Sequence, residues 1–130
     1  MTINYFLLCG GLLSLLFSFG HAAWGQKNIM GEVAATEMPA LVKHAIFTNW
    51  HQTTSFMLIS GIVLIVASVL SDTARAKSIA WLVVAITLGN FLVFVTASVV
   101  KNRQAFRQTV PQLAIMVAYL SIVVVGITTT

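Results

Sequence analysis

Apolar residues run through this chain in four long blocks, and the polar ones gather in three short windows between them. All ten charged residues fall within Lys27–Lys43, Asp72–Lys77 and Lys101–Arg107, which together hold 30 residues. The other 100 residues lie in charge-free runs of 26, 28, 23 and 23. A helix needs about 20 mainly apolar residues to cross a hydrocarbon core of ~30 Å. Lipid offers no partner for backbone N–H and C=O groups, and the period-two alternation of barrel strands is absent, so each block reads as a helix. The pattern predicts an all-α integral membrane four-helix bundle in a single domain, with spans at about 3–24, 46–70, 79–100 and 110–127. Pro111, at the start of the fourth block, suits a first helical turn, where its missing N–H costs nothing. The first block has no preceding cation and exceeds a usual signal-peptide apolar region, so it reads as a retained span.

The window between the first two spans is the only long one, and it is patterned. Ile29, Met30, Val33, Met38, Leu41 and Val42 recur near a period of 3.6, with Lys27, Glu32 and Lys43 elsewhere on the wheel. This predicts a short amphipathic interfacial segment, bent or restarted at Pro39, that covers one end of the bundle.

Composition agrees with that architecture. Charged residues make up 8% of the chain and apolar ones 58%, against roughly 25% charged in a soluble domain. This excludes disorder, a soluble enzyme core and a disulfide scaffold; Cys9 is the sole cysteine. The net charge of +4 is not a nucleic-acid footprint, because the cations sit in the short loops between spans rather than on one basic face. Loops 25–45 and 101–109 share one side and carry Lys27, Lys43, Lys101, Arg103 and Arg107, whereas the other side has only Arg75 and Lys77. The positive-inside rule then places both chain ends outside the cytoplasm. Trp24 and Trp50 fall at one interface and Tyr5 and Trp81 at the other, as aromatic belts do.

Helices in lipid associate through small and hydrogen-bonding residues. Gly10, Ser14 and Ser18, four apart, form such a stripe on the first span, and Ser60, Gly61 and Ser68 on the second with Thr87 and Gly89 on the third can serve alike. Asn90, near the middle of the third span, reads as interhelical glue or as a polar contact to a lipid-soluble ligand such as a quinone. No acid or base lies inside a span, which argues against an ion-coupled transporter.

The three histidines are more informative. His21 closes the first span, His51 opens the second and His44 lies between them, so all three occupy one interfacial layer with Glu32 and Glu37. His44 and His51, seven apart on one helix, stand about 10 Å apart along its axis and cannot share one ion. A metal site would combine His21 with His51 or His44 and Glu32 or Glu37, a set suited to zinc or non-haem iron. A bis-histidine haem would have to be held by spans one and two, with its ligands facing across a gap where packed neighbouring helices stand only about 8–10 Å apart. The plainest reading has His21 and His51 hydrogen-bonding at the interface and pinning spans one and two. The run Asn49-Trp50-His51-Gln52-Thr53-Thr54-Ser55 is the densest polar stretch entering a span. It lacks the carboxylate that a serine–histidine hydrolase needs.

His21-x-x-x-Gly25 closing the first span, paired with Trp50-His51-x-Thr53-Thr54 opening the second, resembles a group of small four-span bacterial inner-membrane proteins generally described as uncharacterised. The match covers about residues 20–55, and the later spans match in hydrophobicity only. Gln26 stands where that pattern often has an acid. The resemblance implies the architecture and draws attention to His21 and His51; it supplies no reaction.

These readings lead to a non-catalytic integral membrane protein, an accessory or assembly subunit that packs in the bilayer against other membrane subunits or against itself, with no cofactor expected and no nucleic-acid partner. The alternative from another class is a redox or ligand-binding protein that holds haem, a metal ion or a quinone near His21 and His51. A small oligomeric transporter ranks third.

Overall fold

A computed structural model describes residues 3–101 and 103–129. Its long helices are α1 (Tyr5–Gly25), α3 (Ala40–Ser68), α4 (Thr73–Lys101) and α5 (Arg103–Thr128), with a short α2 (Gly31–Ala35) after the first. Four of its helices are long and apolar enough to cross a membrane, and this is an all-α integral membrane bundle. Each long helix packs on two others: α1 on α3 and α5, α4 on α3 and α5. The order α1–α3–α4–α5 thus closes a ring in which helices consecutive along the chain run antiparallel.

One end of this ring is tied by Asn4. Its side-chain Oδ1 accepts the Leu7 N–H at 3.0 Å as an N-cap, and its Nδ2 donates to the Gly126 carbonyl at 2.7 Å. Its backbone N–H donates to the Ser68 carbonyl at 2.9 Å. One asparagine therefore joins the start of α1 to the ends of α3 and α5, satisfying groups that helix termini leave open. Above it lies the apolar core of Leu7, Leu64, Ala67, Ala76, Ala80, Val83, Val84, Tyr119, Val123 and Ile127. At the same end Asp72 caps α4, its Oδ1 accepting the Arg75 N–H at 3.0 Å.

The packing of α1 on α3 is the most extensive in the bundle. Gly11 and Gly61 face one another so closely that a Cβ on either would lie 2.8–2.9 Å from the other's carbonyl oxygen. From there the facing positions step by three and four, Gly11, Ser14, Ser18, His21 and Gly25 on α1 against Gly61, Met57, Thr54 and Trp50 on α3. That repeat is the left-handed packing of antiparallel helices. Ser14 Oγ donates to the Met57 carbonyl at 2.7 Å and Ser18 Oγ to the Thr54 carbonyl at 3.0 Å. Gly10 does not share this seam. Steps of four drift ~40° around a helix, and Gly10 faces Val123 of α5 instead, its Cβ position 2.8 Å from a Val123 methyl.

The segment between the first two spans is helical and breaks at Pro39, with Met30 and Val33 buried and Glu32 exposed. It continues α1 through a π-helical turn at Gln26–Met30. Lys43 then ties the two limbs together, its Nζ donating to the Ala34 carbonyl at 2.8 Å.

Two expectations are corrected. Residues 103–109, read as part of a loop from their charges, belong to α5. Arg, Gln, Ala and Phe all tolerate helix, and no Gly or Pro punctuates them before Pro111. Pro111 accordingly lies inside α5 rather than in its first turn, where it withholds one N–H from the ladder.

Close approach at the two facing glycines predicts a position-specific cost. Gly61→Val should lower unfolding stability in detergent by about 1–3 kcal/mol. Gly20→Ala, where a Cβ meets nothing within 4 Å, should leave stability unchanged or slightly raised. Denaturant titration followed by far-ultraviolet circular dichroism reads both.

Candidate functional site

Among the described residues, the densest polar and aromatic assembly lies where α1 ends against the first half of α3. Gly25 is buried beneath the Trp50 indole, close enough that a Cβ there would overlap its ring atoms. His21, one helical turn before Gly25, stacks on the same indole with ring centroids 3.9 Å apart and planes 11° apart. Trp24 leans on Trp50 at 6.3 Å and 34°. The three rings and the glycine form one layered unit.

Thr54, a turn beyond Trp50, completes it. Its Oγ1 lies 2.8 Å from His21 Nδ1 and 3.1 Å from the Trp50 carbonyl. A hydroxyl has a single proton, and here it bonds back to the carbonyl four residues earlier, as threonines in helices do. With the hydroxyl proton on that carbonyl, His21 Nδ1–H donates to the Thr54 oxygen, which leaves the Nε2 lone pair of the neutral ring unused by this bond. Trp50 Nε1 is buried without a partner among the described residues. Such an N–H costs about 1–3 kcal/mol, so stacking and the fit over Gly25 hold the indole in place against that cost.

His51 takes no part in this unit. It is exposed on another face of α3, on an open strip with His44, Phe47, Thr48, Gln52, Ser55, Phe56 and Ile59. Every residue on that strip belongs to α3, so it is an outer surface rather than an enclosed pocket. His44 Nε2 lies 3.4 Å from Thr48 Oγ1 along the same helix. Two histidines, a glutamine, a threonine and a serine thus turn away from the bundle at steps of three and four.

The candidate residues separate accordingly. Ser14, Ser18, Gly61 and His21 lie in the α1–α3 seam, and Gly10 packs on α5. His44 and His51 share the outer strip of α3. Glu32 and Glu37 are exposed, and among the described residues no three His, Cys, Asp or Glu side chains come together as a metal-holding group. Asn90 is exposed, with its Nδ2 donating to the Ile86 carbonyl of its own helix at 3.1 Å. Asn4 and Gly11, which sequence reasoning did not single out, hold key positions. Asn4 had a readable signal, a capping residue before an apolar run.

No family model, curated protein or solved structure matches this chain. The resemblance drawn on His21-x-x-x-Gly25 and Trp50-His51-x-Thr53-Thr54 therefore rests on those residues. Their geometry accounts for the spacing: His21, Gly25, Trp50 and Thr54 form one contact unit, while His51 and Thr53 face outward.

Two substitutions separate the contributions at Trp50. Trp50→Phe keeps a ring for His21 and removes the unpaired N–H, so stability should change by less than about 1 kcal/mol. Gly25→Val displaces the indole and should cost about 1–3 kcal/mol. Unfolding titrations read both, and in the glycine variant near-ultraviolet circular dichroism should lose the Trp50 signal first.

Proposed function

We propose that this protein is a non-catalytic accessory or assembly subunit of a membrane complex, and that α3 presents its partner-binding face. One observation carries the reading: the outer strip of α3 turns His44, Thr48, His51, Gln52 and Ser55 away from the bundle, while Trp50, Thr54 and Met57 on its other face are half-buried against α1. Hydrogen-bonding side chains at this depth gain most from another helix or headgroup-level chain that pairs with them. The strip has the steps of three and four by which one helix reads another. Its aromatic residues, Phe47 and Phe56, would supply the packing area around those polar contacts. The polar groups on the inner side are occupied elsewhere: His21, Thr54, Ser14 and Ser18 bond across the α1–α3 seam.

In this reading the protein resides in a bacterial inner membrane, as its resemblance to small four-span proteins implies. The end bearing Lys27 and Lys43 faces the cytoplasm, by the balance of cations. The partner would meet α3 at that cytoplasmic interface.

A second reading rests on the same strip. Two imidazoles beside two phenyl rings at a membrane interface could hold a quinone, haem or metal ion from outside the bundle, with His44 and His51 in place of the His21 and His51 pair.

Native mass spectrometry of the protein released from its own membrane in mild detergent tests the first reading. Co-purifying polypeptides at fixed stoichiometry, lost on a His51→Ala, Gln52→Ala double substitution that leaves the fold intact, are the expected result. A small-molecule or metal mass lost on His51→Ala, with no polypeptide partner, would overturn it in favour of the second.

A further inference from the structure

Asn90 stands one residue past the midpoint of the charge-free run 78–100, so the ends of that run are roughly 18 and 15 Å away along the helix. Its side chain is exposed from the bundle, which at this depth means exposed to hydrocarbon. One of its two N–H groups bonds to Ile86 of its own helix. Among the described residues the other N–H and the amide carbonyl have no partner. A carboxamide in that position is costly unless something outside the monomer pairs with it.

The surroundings show what could pair with it. Ile86, Asn90, Val93, Ala97 and Val100 step by four and three along α4, and all five are exposed. Most of α4 beyond Thr87 is equally exposed, and this is the row that holds the asparagine, at the heptad spacing by which one helix packs against another. Gly89 lies beside Asn90, and nothing stands within 4 Å of where its Cβ would be. A second backbone can therefore approach closely just where the amide is. The seam carries no charge, so nothing on it repels an identical surface.

From these observations we propose that α4 forms a parallel two-fold homodimer through this seam, with the Asn90 amides of the two copies exchanging hydrogen bonds at the membrane midplane. The choice of a second copy follows from complementarity. All copies inserted by one topology lie parallel, so every Asn90 sits at the same depth, and on a two-fold axis like meets like. A carboxamide is its own complement, donor to acceptor and acceptor to donor. The proposal goes beyond the α3 strip and does not depend on it, since the two surfaces are on different helices.

The test is Förster transfer between donor- and acceptor-labelled full-length chains in lipid vesicles, followed as the protein-to-lipid ratio is lowered. Wild type should show saturable transfer. Asn90→Leu, an apolar change at a lipid-facing position that the fold tolerates, should weaken association by roughly three- to tenfold, and Asn90→Gln should retain most of it. In a Cys9→Ser background, Val93→Cys should form a symmetric disulfide on oxidation, whereas Ile115→Cys on the outer surface of α5 should not. His51→Ala should leave transfer unchanged, which keeps this result separate from that for α3. Equal transfer by wild type and Asn90→Leu would overturn the proposal. So would a monomeric wild type, or a Val93→Cys that links only to a different polypeptide in native membranes.

Discussion

The backbone contact between Gly11 and Gly61 is the constraint on which the rest of the α1–α3 pair depends. Side chains of hydrogen size let two helix axes approach until each carbonyl oxygen lies within 3 Å of the other glycine's Cβ position. At that separation Ser14 and Ser18 are long enough to reach carbonyls on the neighbouring helix. Two turns further on, His21 reaches a threonine hydroxyl and Gly25 accepts an indole face. A bulkier residue at the first contact would move every later one out of reach. In lipid, where apolar surface gains nothing by leaving solvent, such close packing and its hydrogen bonds supply the association energy.

This seam also sorts the polar residues into two populations. Those that face α1 are consumed in holding the pair together, and the histidine among them is part of the packing. Those on the opposite side of α3, and Asn90 on α4, keep hydrogen-bonding capacity directed outward. This division, with helix-to-helix bonds in the seam and spare polar groups on the outside, is what the proposed subunit role rests on. Asn4 and Asp72 make the opposite end rigid, so the outward faces are presented on a fixed frame.

Much of this frame is legible in the sequence because the bilayer imposes it. Charge-free runs of fixed length give the spans, and small residues at steps of three and four give the seam. The helical character of the first connection and its break at Pro39 are readable from period and proline. The π turn at Gln26–Met30 is not, since those residue types suit an ordinary α-helical turn equally well. Charges hid the start of α5, because residues 103–109 look like a loop by polarity yet contain only helix-tolerant types. The pairing of His21 with Trp50 and Thr54 rather than His51 turns on a rotation of ~100° between neighbouring residues of a helix, and a motif read as letters does not show which of two adjacent residues faces inward.

His21 is thus a fixed element of the α1–α3 seam, donating through Nδ1 to Thr54. Nitrogen-15 spectroscopy of histidine-labelled protein in micelles or vesicles near neutral pH examines that bond directly. The predicted result is one imidazole of three held as the Nδ1–H tautomer, its proton slow to exchange and its signal shifted by Thr54→Val, while His44 and His51 behave as solvent-exchanging rings. Three equivalent, rapidly exchanging imidazoles, or a His21 protonated on Nε2 alone and indifferent to Thr54, would contradict it.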